Sequence, residues 1–314
     1  MYRQIKKVNP FLAHISQQQL QRIFTAHHLG MVRDIDLPRR GSINMVMIIN
    51  DELVVRIDHR LSEGESRFRA EKIAYDALAK TSIPVPEVLV LDTTRTLIPY
   101  DYMVMNKLPG TPLIDAWDDL STNQKQVVAY NAGAYLARLH TISFDHFGEL
   151  KNLGLKSFGG FYEHVNDYYK RFQHQAQHYD AFSAVHHEQM MTLMESCKPL
   201  LNLPKAYLVH SDYQLENLLV HQGEISGVID FEWAMSGDPT WDFIAEDKWV
   251  DQCIGSREMI YAGYRSLRPL DPAHDQKLRL YKALMYIETI AGVDDWRTWA
   301  LSKLNALLSQ TPTV

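Results

Sequence analysis

The stretch 207–242, YLVHSDYQLENLLVHQGEISGVIDFEWAMSGDPTWD, restricts the fold of this 314-residue chain more than any other segment. Short apolar runs, typical of strands, alternate there with the polar residues His210, Asp212, Asn217 and Asp230. Asp212 precedes Asn217 by five residues, and Asp230 follows Asn217 by thirteen, at the end of an apolar run. A hairpin between them, turning at Gln222-Gly223, would bring Asn217 and Asp230 to one end of two paired strands.

These residues have the spacing H-x-D-x-x-x-x-N followed by a further Asp, which is the layout of phosphoryl-transfer sites. Asp212 would orient an acceptor hydroxyl and take its proton late in the reaction. Asn217 and Asp230 offer the oxygen ligands that Mg²⁺ prefers. His210 is expected to hold the loop. Taken alone, His210, Asp212 and Asn217 would also suit an ordinary turn.

The first hundred residues predict an α+β unit. Ser16 is a helix cap, with Gly30 as the end of that helix, and Asn50-Asp51 is a hairpin turn. Glu71 falls in the apolar stripe of a second helix, where its charge requires a partner. The predicted strands are 32–37, 44–49, 53–57, 87–92 and 101–107, and the second helix is 64–80.

Leu108-Pro109-Gly110 predicts a linker, after which the chain becomes mostly helical. Ser121 is a predicted cap of a long helix, and 160–200 predicts two more. Strands are expected at 206–209, 217–221 and 225–229. We therefore divide the chain into an N-terminal nucleotide-binding lobe with a leading helix (1–107) and a C-terminal catalytic and substrate-binding lobe (108–314).

Phosphoryl transfer also requires groups that hold a nucleotide. In the segment 40–44, RGSIN, Gly41 would let the backbone approach a phosphate and Ser42 would donate to it, with Asn44 beside them, although a plain turn fits equally well. Arg56, flanked by apolar strand residues, would hold the α- and β-phosphates and pair with Glu71. The alternative for Arg56 is a solvent-facing strand position.

The segment MVMNKL at 103–108 ends at the predicted linker. An adenine ring would lie against Met105 there, while the backbone from Asn106 to Leu108 would bond the edge of the base. The alternative is that Met105 is simply a core residue.

These motifs together resemble the aminoglycoside phosphotransferase and choline kinase superfamily. The matching pieces are HSDYQLEN (210–217), IDFE (229–232), GDPTWDF (237–243), LPG (108–110) and LARLH (136–140). The resemblance implies a bilobal α+β, protein-kinase-like fold and a small-molecule kinase that uses ATP or GTP with Mg²⁺. Asp212 then corresponds to the catalytic base, Asn217 and Asp230 to the Mg²⁺ ligands, and Glu71 to the ion-pair partner of the phosphate-binding residue.

By the same resemblance, Asp242 corresponds to an acid that braces the catalytic loop. Three positions depart from the commonest pattern. Ser211 stands where glycine is commonest, and Arg56 where protein kinases have lysine, which changes the geometry toward phosphate. Glu232 replaces the glycine of the protein-kinase D-F-G motif, as is usual in this superfamily, and argues against protein substrates.

Composition and charge restrict the classes of molecule that this chain is expected to bind. A formal charge of −6 argues against general nucleic-acid binding. No run approaches 18 apolar residues, so no membrane span is expected. The N-terminal segment has no long apolar core, and the two cysteines are far apart, which favours a cytoplasmic location. The expected partners are a nucleotide and a small-molecule acceptor, with the protein a monomer or dimer.

The sequence predicts the reaction more closely than it predicts the acceptor. Acidic residues after position 210, notably Glu216, Glu232 and Glu246, would favour a cationic alcohol such as an aminoglycoside, as in antibiotic resistance. They would equally suit loop bracing or a solvated helix face. A choline-, homoserine- or macrolide-type kinase stays open, as does a pseudokinase that binds nucleotide without transfer. A metal phosphoesterase would need further His or Asp ligands, which the sequence does not place at metal spacing.

Overall fold

The computed structural model describes residues 15–38, 44–58, 67–153, 156–179, 182–292 and 294–309. In these ranges the N-terminal lobe is built from α1 (Gln17–Ala26), β1 (Ile35–Asp36), β2 (Met45–Ile49), β3 (Leu53–Asp58), α2 (Phe68–Leu78), β4 (Val88–Asp92) and β5 (Asp101–Asn106). The strands form one antiparallel sheet in the order β1-β2-β3-β5-β4. Helix α1 packs on one face of the sheet, and Phe68 of α2 contacts Met103 and Met105 on the other.

The C-terminal lobe is mostly helical. Its strands are β6 (Thr111–Pro112), β7 (Ser143–Phe144), β8 (Gly148–Glu149), β9 (Ala206–Val209), β10 (Leu218–His221), β11 (Glu224–Val228) and β12 (Met235–Gly237). Its helices are α3 (Leu113–Ala116), α4 (Thr122–Leu139), α5 (Phe161–Gln177), α6 (Ala184–Cys197), α7 (Glu246–Gln252), α8 (Ser256–Leu267), α9 (His274–Gly292) and α10 (Arg297–Leu308). The strands form two small sheets, β11-β10-β6 and β7-β9-β12-β8. The α+β, bilobal architecture is thus confirmed.

Several local predictions are confirmed because they rest on short-range chemistry. Ser16 and Ser121 each cap a helix in a capping box that includes the glutamine three residues later. Asn50 and Asp51 both have positive φ, 56° and 60°, as the tight turn between β2 and β3 requires. Gln222-Gly223 has the same left-handed geometry between β10 and β11.

Two boundary predictions are wrong. Helix α1 ends at Ala26 rather than near Gly30, because His28 (φ 58°) takes the left-handed position. Leu29 N then donates to Phe24 O (2.8 Å), which closes a Schellman motif. The strand predicted over 32–37 shortens to Ile35–Asp36, because the Asn50 side chain bonds the backbone N–H groups of residues 33 and 34.

Within the described ranges, the helices lack an apolar stretch of the length that a bilayer crossing demands.

Helices α4 and α8 cross at two glycines, a feature that the sequence analysis missed. A Cβ atom on Gly133 would lie 1.8 Å from the carbonyl oxygen of Ile260, and one on Gly263 would lie 1.8 Å from that of Tyr130. The two backbones therefore approach as closely as only glycine permits. This crossing holds α4 against the rest of the C-terminal lobe.

We predict that Gly133→Ala lowers the free energy of unfolding by about 3 kcal/mol, because the methyl group forces the two helix backbones apart. Urea denaturation measures this change. Gly292→Ala, also a helical glycine but with no atom within 4 Å of the added Cβ, is the matched control and should be neutral. A loss below about 1 kcal/mol in Gly133→Ala would contradict the close crossing.

Candidate active site

The loop that follows β9 is held by one buried carboxylate. Asp242 accepts hydrogen bonds from His210 N (2.9 Å) and Ser211 N (2.7 Å), and it bonds His140 Nε2 at 2.9 Å. Burial lowers the pKa of His140, against the opposing effect of Asp242, so the ring is a neutral donor at Nε2. Ser211 has φ 67°, which explains why glycine is commonest at this position. The loop is bonded in the way that a bracing role for Asp242 requires.

The His210 ring connects this loop to the end of β11. Its Nε2 bonds Ile229 O at 3.0 Å, and its Nδ1 accepts from Asp212 N at 3.3 Å. The ring is fully buried and packs against Phe231, with ring centroids 4.2 Å apart. His210 therefore lies where a group that orients the loop would lie, between Asp212 and the strand that leads to Asp230.

The Asp212 carboxylate is held in place by two amide groups. Asn217 Nδ2 donates to Asp212 Oδ2 (3.0 Å) and to its carbonyl oxygen (2.9 Å), while Gln214 Nε2 donates to Oδ1. Gln214 Oε1 in turn accepts from Lys248 Nζ at 2.8 Å. Burial raises the pKa of Asp212 above the usual aspartate range, and Lys248 opposes this rise. The carboxylate is thus oriented and more basic than a solvated one.

Asp230 and Asn217 come together as the hairpin prediction requires. Ile229 N donates to Asn217 O (2.9 Å), and Asp230 N donates to the Tyr75 hydroxyl (3.0 Å). Asn217 uses its amide nitrogen on Asp212, which leaves its amide oxygen for another contact. Asp230, whose side chain is 35% exposed, uses Oδ1 on Arg56. Two oxygen donors facing one cavity fit the hard ion Mg²⁺.

Arg56 contacts three carboxylates, and two of them, those of Asp230 and Glu232, belong to the other lobe. Its Nη1 lies 2.5 Å from Glu71 Oε1, and its Nη2 lies 3.0 Å from Asp230 Oδ1 and 3.4 Å from Glu232 Oε2. The predicted pair with Glu71 is present, and Glu71 is fully buried. Burial raises the pKa of Glu71, and the guanidinium opposes the rise. Arg56 Nε and Glu71 Oε2 make no hydrogen bond within the described ranges.

A cavity of about 600 Å³ lies between the lobes on the side of Asp230. It contains all the described residues that were predicted to hold nucleotide except Glu71, which is buried beside it: Asn44, Arg56, Met105, Asn106 and Leu108. Gly41 and Ser42 lie outside the described residues. The backbone N–H groups of Asn106 and Lys107 already donate to Glu87 O and Glu52 O, so Leu108 is left as the backbone donor for a base edge.

A second cavity, of about 580 Å³, lies on the opposite side of Asp212. It is lined by α5, α9, α7 and the turn after Asp230, including residues that the sequence analysis did not single out: His164, Tyr168, Arg171, Trp241, Lys248 and Glu288. Asp212, Glu232 and Trp233 line both cavities. The carboxylate of Asp212 therefore lies where a donor and an acceptor would meet.

Two of the three acids proposed for the acceptor lie elsewhere. Glu216 lines the cavity on the nucleotide side. Glu246 is buried and bonds Lys282 (2.8 Å), Arg257 (2.9 Å) and Tyr261 (2.8 Å); burial alone would raise its pKa, but Lys282 and the other partners lower it. Glu232 lines both cavities, but it accepts from Asn44 Nδ2 (2.6 Å) and contacts Arg56. Most of the acids that were predicted to attract a cationic acceptor therefore form bonds within the protein instead.

The chain matches one protein-family model and several curated proteins. A model of the phosphotransferase enzyme family matches residues 34–252. The chain is 24% identical over 273 residues to homoserine kinase of Methylocella silvestris, which covers 82% of this chain and 79% of that protein. It is 27% identical over 184 residues to acyl-CoA dehydrogenase family member 10 of Mus musculus, covering 57% of this chain but 16% of that protein.

Among solved structures, the ternary complex of aminoglycoside phosphotransferase APH(4)-Ia with ADP and hygromycin B has the same fold. The TM-score is 0.68 at 18% identity, and the match covers 92% of this chain and 99% of that one.

We predict that Arg56→Met lowers the free energy of unfolding by about 4 kcal/mol, because three carboxylates lose their shared cation in a buried site. Chemical denaturation measures the loss. Arg22→Met, on the exposed side of α1, is the control and should change stability by less than about 0.5 kcal/mol. Equal stability of the two variants would show that Arg56 does not hold the lobes together.

Proposed function

We propose that this chain, which belongs to the phosphotransferase enzyme family, transfers the γ-phosphate of ATP or GTP to a hydroxyl group of a small molecule, with Asp212 as the catalytic base. The observation that carries this proposal is the position of Asp212, which lines both cavities while two amides hold its carboxylate. The family match to residues 34–252 includes Arg56, Asp212, Asn217 and Asp230, and the similarity to homoserine kinase supports a hydroxyl as the acceptor group.

Asp212 acts first by orientation. Asn217 and Gln214 restrict its carboxylate, so one oxygen points an acceptor hydroxyl along the line of transfer. The proton reaches Asp212 late, as the bond to phosphorus forms. A pKa raised by burial suits this role, since a more basic carboxylate takes the proton more readily.

The nucleotide would occupy the cavity that contains Arg56 and Met105. Asn217 and Asp230 would hold Mg²⁺, which when bound supplies positive charge to the phosphate oxygens. Arg56 would contribute a fixed charge to the α- and β-phosphates, with Glu71 setting its direction. Met105 would pack against the base, and Leu108 N–H would bond its edge.

Two acceptor classes have support from relatives. The fold of the hygromycin B complex supports an aminoglycoside-like alcohol, and the match to homoserine kinase supports an amino-acid alcohol. An acceptor of either class would have its hydroxyl in the second cavity, next to Asp212. A role in antibiotic resistance and a cytoplasmic location stay predictions.

We predict that Asp212→Asn lowers kcat at least 100-fold while the nucleotide still binds, because the amide keeps the shape but cannot take the proton. Asp230→Asn should instead weaken Mg²⁺-dependent nucleotide binding. Phosphorylated products are detected by mass spectrometry with ATP and GTP against kanamycin, erythromycin, choline and homoserine. Nucleotide binding is measured by calorimetry with and without Mg²⁺.

Asp145→Asn, at an exposed position outside both cavities, is the matched control and should behave as the parent protein. Turnover by Asp212→Asn at the parent rate would refute the assignment of the base. Nucleotide binding without any transfer, by the parent protein and over the whole panel, would instead favour a pseudokinase.

We also predict that Lys248→Met moves the acid limb of the kcat profile to higher pH. The base must be ionised, so kcat rises as pH passes through the pKa of Asp212 and then levels off. Lys248 lowers that pKa, and its removal raises it further. Lys170→Met, an exposed lysine of α5, should leave the profile unchanged. A limb that stays in place or moves to lower pH in Lys248→Met would rule out this coupling.

A further inference from the structure

The second cavity, here called the acceptor cavity, contains a buried histidine that has no hydrogen-bond partner among the described residues. His164 on α5 is 1% exposed, and neither Nδ1 nor Nε2 bonds any group in the described part of the chain. Its ring packs against Phe158 (5.4 Å between centroids) and Phe161 (5.7 Å), and it lines the cavity. The Ser211 hydroxyl, next to Asp212, also lines this cavity. It is buried and likewise has no hydrogen-bond partner among the described residues.

Buried polar groups in folded proteins are nearly always paired, so two unpaired groups facing one cavity indicate a ligand that completes them. Burial lowers the pKa of His164 to about 4, so the ring is neutral at neutral pH. A neutral imidazole donates from one nitrogen and accepts at the other. Its complement is an uncharged hydroxyl, carbonyl or amide group.

The charges that line this cavity are balanced, with four basic and four acidic side chains. Glu149 pairs with Arg171 (2.9 Å) and Lys151 (3.2 Å), while Glu232 accepts from Asn44. Glu288 accepts from the Tyr168 hydroxyl, and burial raises its pKa.

Asp212, the fourth acid, is held by two amides. A polycation would therefore find no carboxylate there that lacks an internal partner. Lys248, by contrast, bonds an amide and pairs with no carboxylate in the described ranges.

Most of the remaining wall residues are apolar or aromatic, among them Tyr168, Phe172, Trp233, Trp241, Ile244 and Met285. They would cover the hydrocarbon or ring portion of a ligand rather than a chain of ammonium groups.

We propose that the acceptor is an alcohol without net positive charge, with an apolar body and a second uncharged polar group that His164 and Ser211 recognise. The inference rests on the proposed function and specifies its substrate class. It departs from the acidic field that the sequence suggested, because the acids of that field are bonded within the protein.

The class is tested by initial rates with ATP and Mg²⁺ on probes of known charge. Kanamycin and choline are the cationic probes, and phenyl β-glucoside and 3-phenoxy-1,2-propanediol are the uncharged ones. We expect kcat/KM for the better uncharged probe to exceed that for either cation at least 10-fold. A cation as the better acceptor would overturn the inference while leaving the kinase assignment intact. Transfer to no acceptor, including homoserine, would refute the proposed function and this inference with it.

The recognition by His164 is tested by His164→Phe. Without acceptor, its Tm should rise by about 2 °C, because an unpaired buried polar ring becomes an apolar one. KM for the best acceptor should rise about 5-fold, while KM for the nucleotide stays unchanged. His164→Gln, which keeps a donor and an acceptor, should recover part of the acceptor affinity.

His174→Phe makes the same change at an exposed position of α5 and should alter neither quantity. A lower Tm for His164→Phe with unchanged acceptor KM would show that His164 is a packing residue, and would overturn its assignment to the acceptor.

Discussion

The site depends on one buried carboxylate, that of Asp242. A buried charge is costly unless every lone pair is engaged, and here two backbone N–H groups and the ring of His140 engage it. Those bonds hold Ser211 in a left-handed conformation, and this conformation directs Asp212 into the space between the two cavities. The buried Asp242 therefore determines where Asp212, the proposed base, points.

Arg56 sets the position of the two lobes relative to each other, as Asp242 sets the position of the loop. It lies on β3 of the small lobe, whereas Asp230 and Glu232 belong to the large one. Since its fork contacts Glu71 with one nitrogen and the other two acids with the second, it fixes the distance between the sheet and the β10–β11 hairpin. A lysine has a single nitrogen at its tip and would not span the same three groups. The arginine at this position is thus consistent with the geometry around it.

The parts of this site that the sequence predicts are those set by short-range chemistry. Asn217 and Asp230 flank one hairpin, and Asp212 lies in the loop just before it, so their spacing is enough to place them together. The turn at Asn50-Asp51 and the caps at Ser16 and Ser121 follow from local bonds for the same reason. The Arg56–Glu71 pair is longer in range, but a carboxylate in an apolar helix stripe indicates a missing cation.

The sequence does not predict the role of a residue whose partners lie far away in the chain. Glu246 resembles a substrate-binding acid until Lys282, thirty-six residues later, proves to be its partner. Gly133 has no local signal, because the backbone atoms that require it belong to Ile260 and Tyr264 on another helix. His164 looks like any polar residue of an amphipathic helix, and only the packed structure shows that its ring is buried without a partner.

The contrast between local and distant contacts also distinguishes the donor side of the site from the acceptor side. Under the proposed function, the donor side is built around one hairpin and a β-sheet, so a short motif describes it, whereas the acceptor side has no such motif. The acceptor side combines α5, the loop at Ser211, the turn at Trp233 and α9, which are far apart in the chain. Under the proposed function, substitutions on these elements would change the acceptor without altering Asp212, Asn217 or Asp230. Acceptor specificity must therefore be inferred from the packed cavity, through its paired acids and its unpaired histidine.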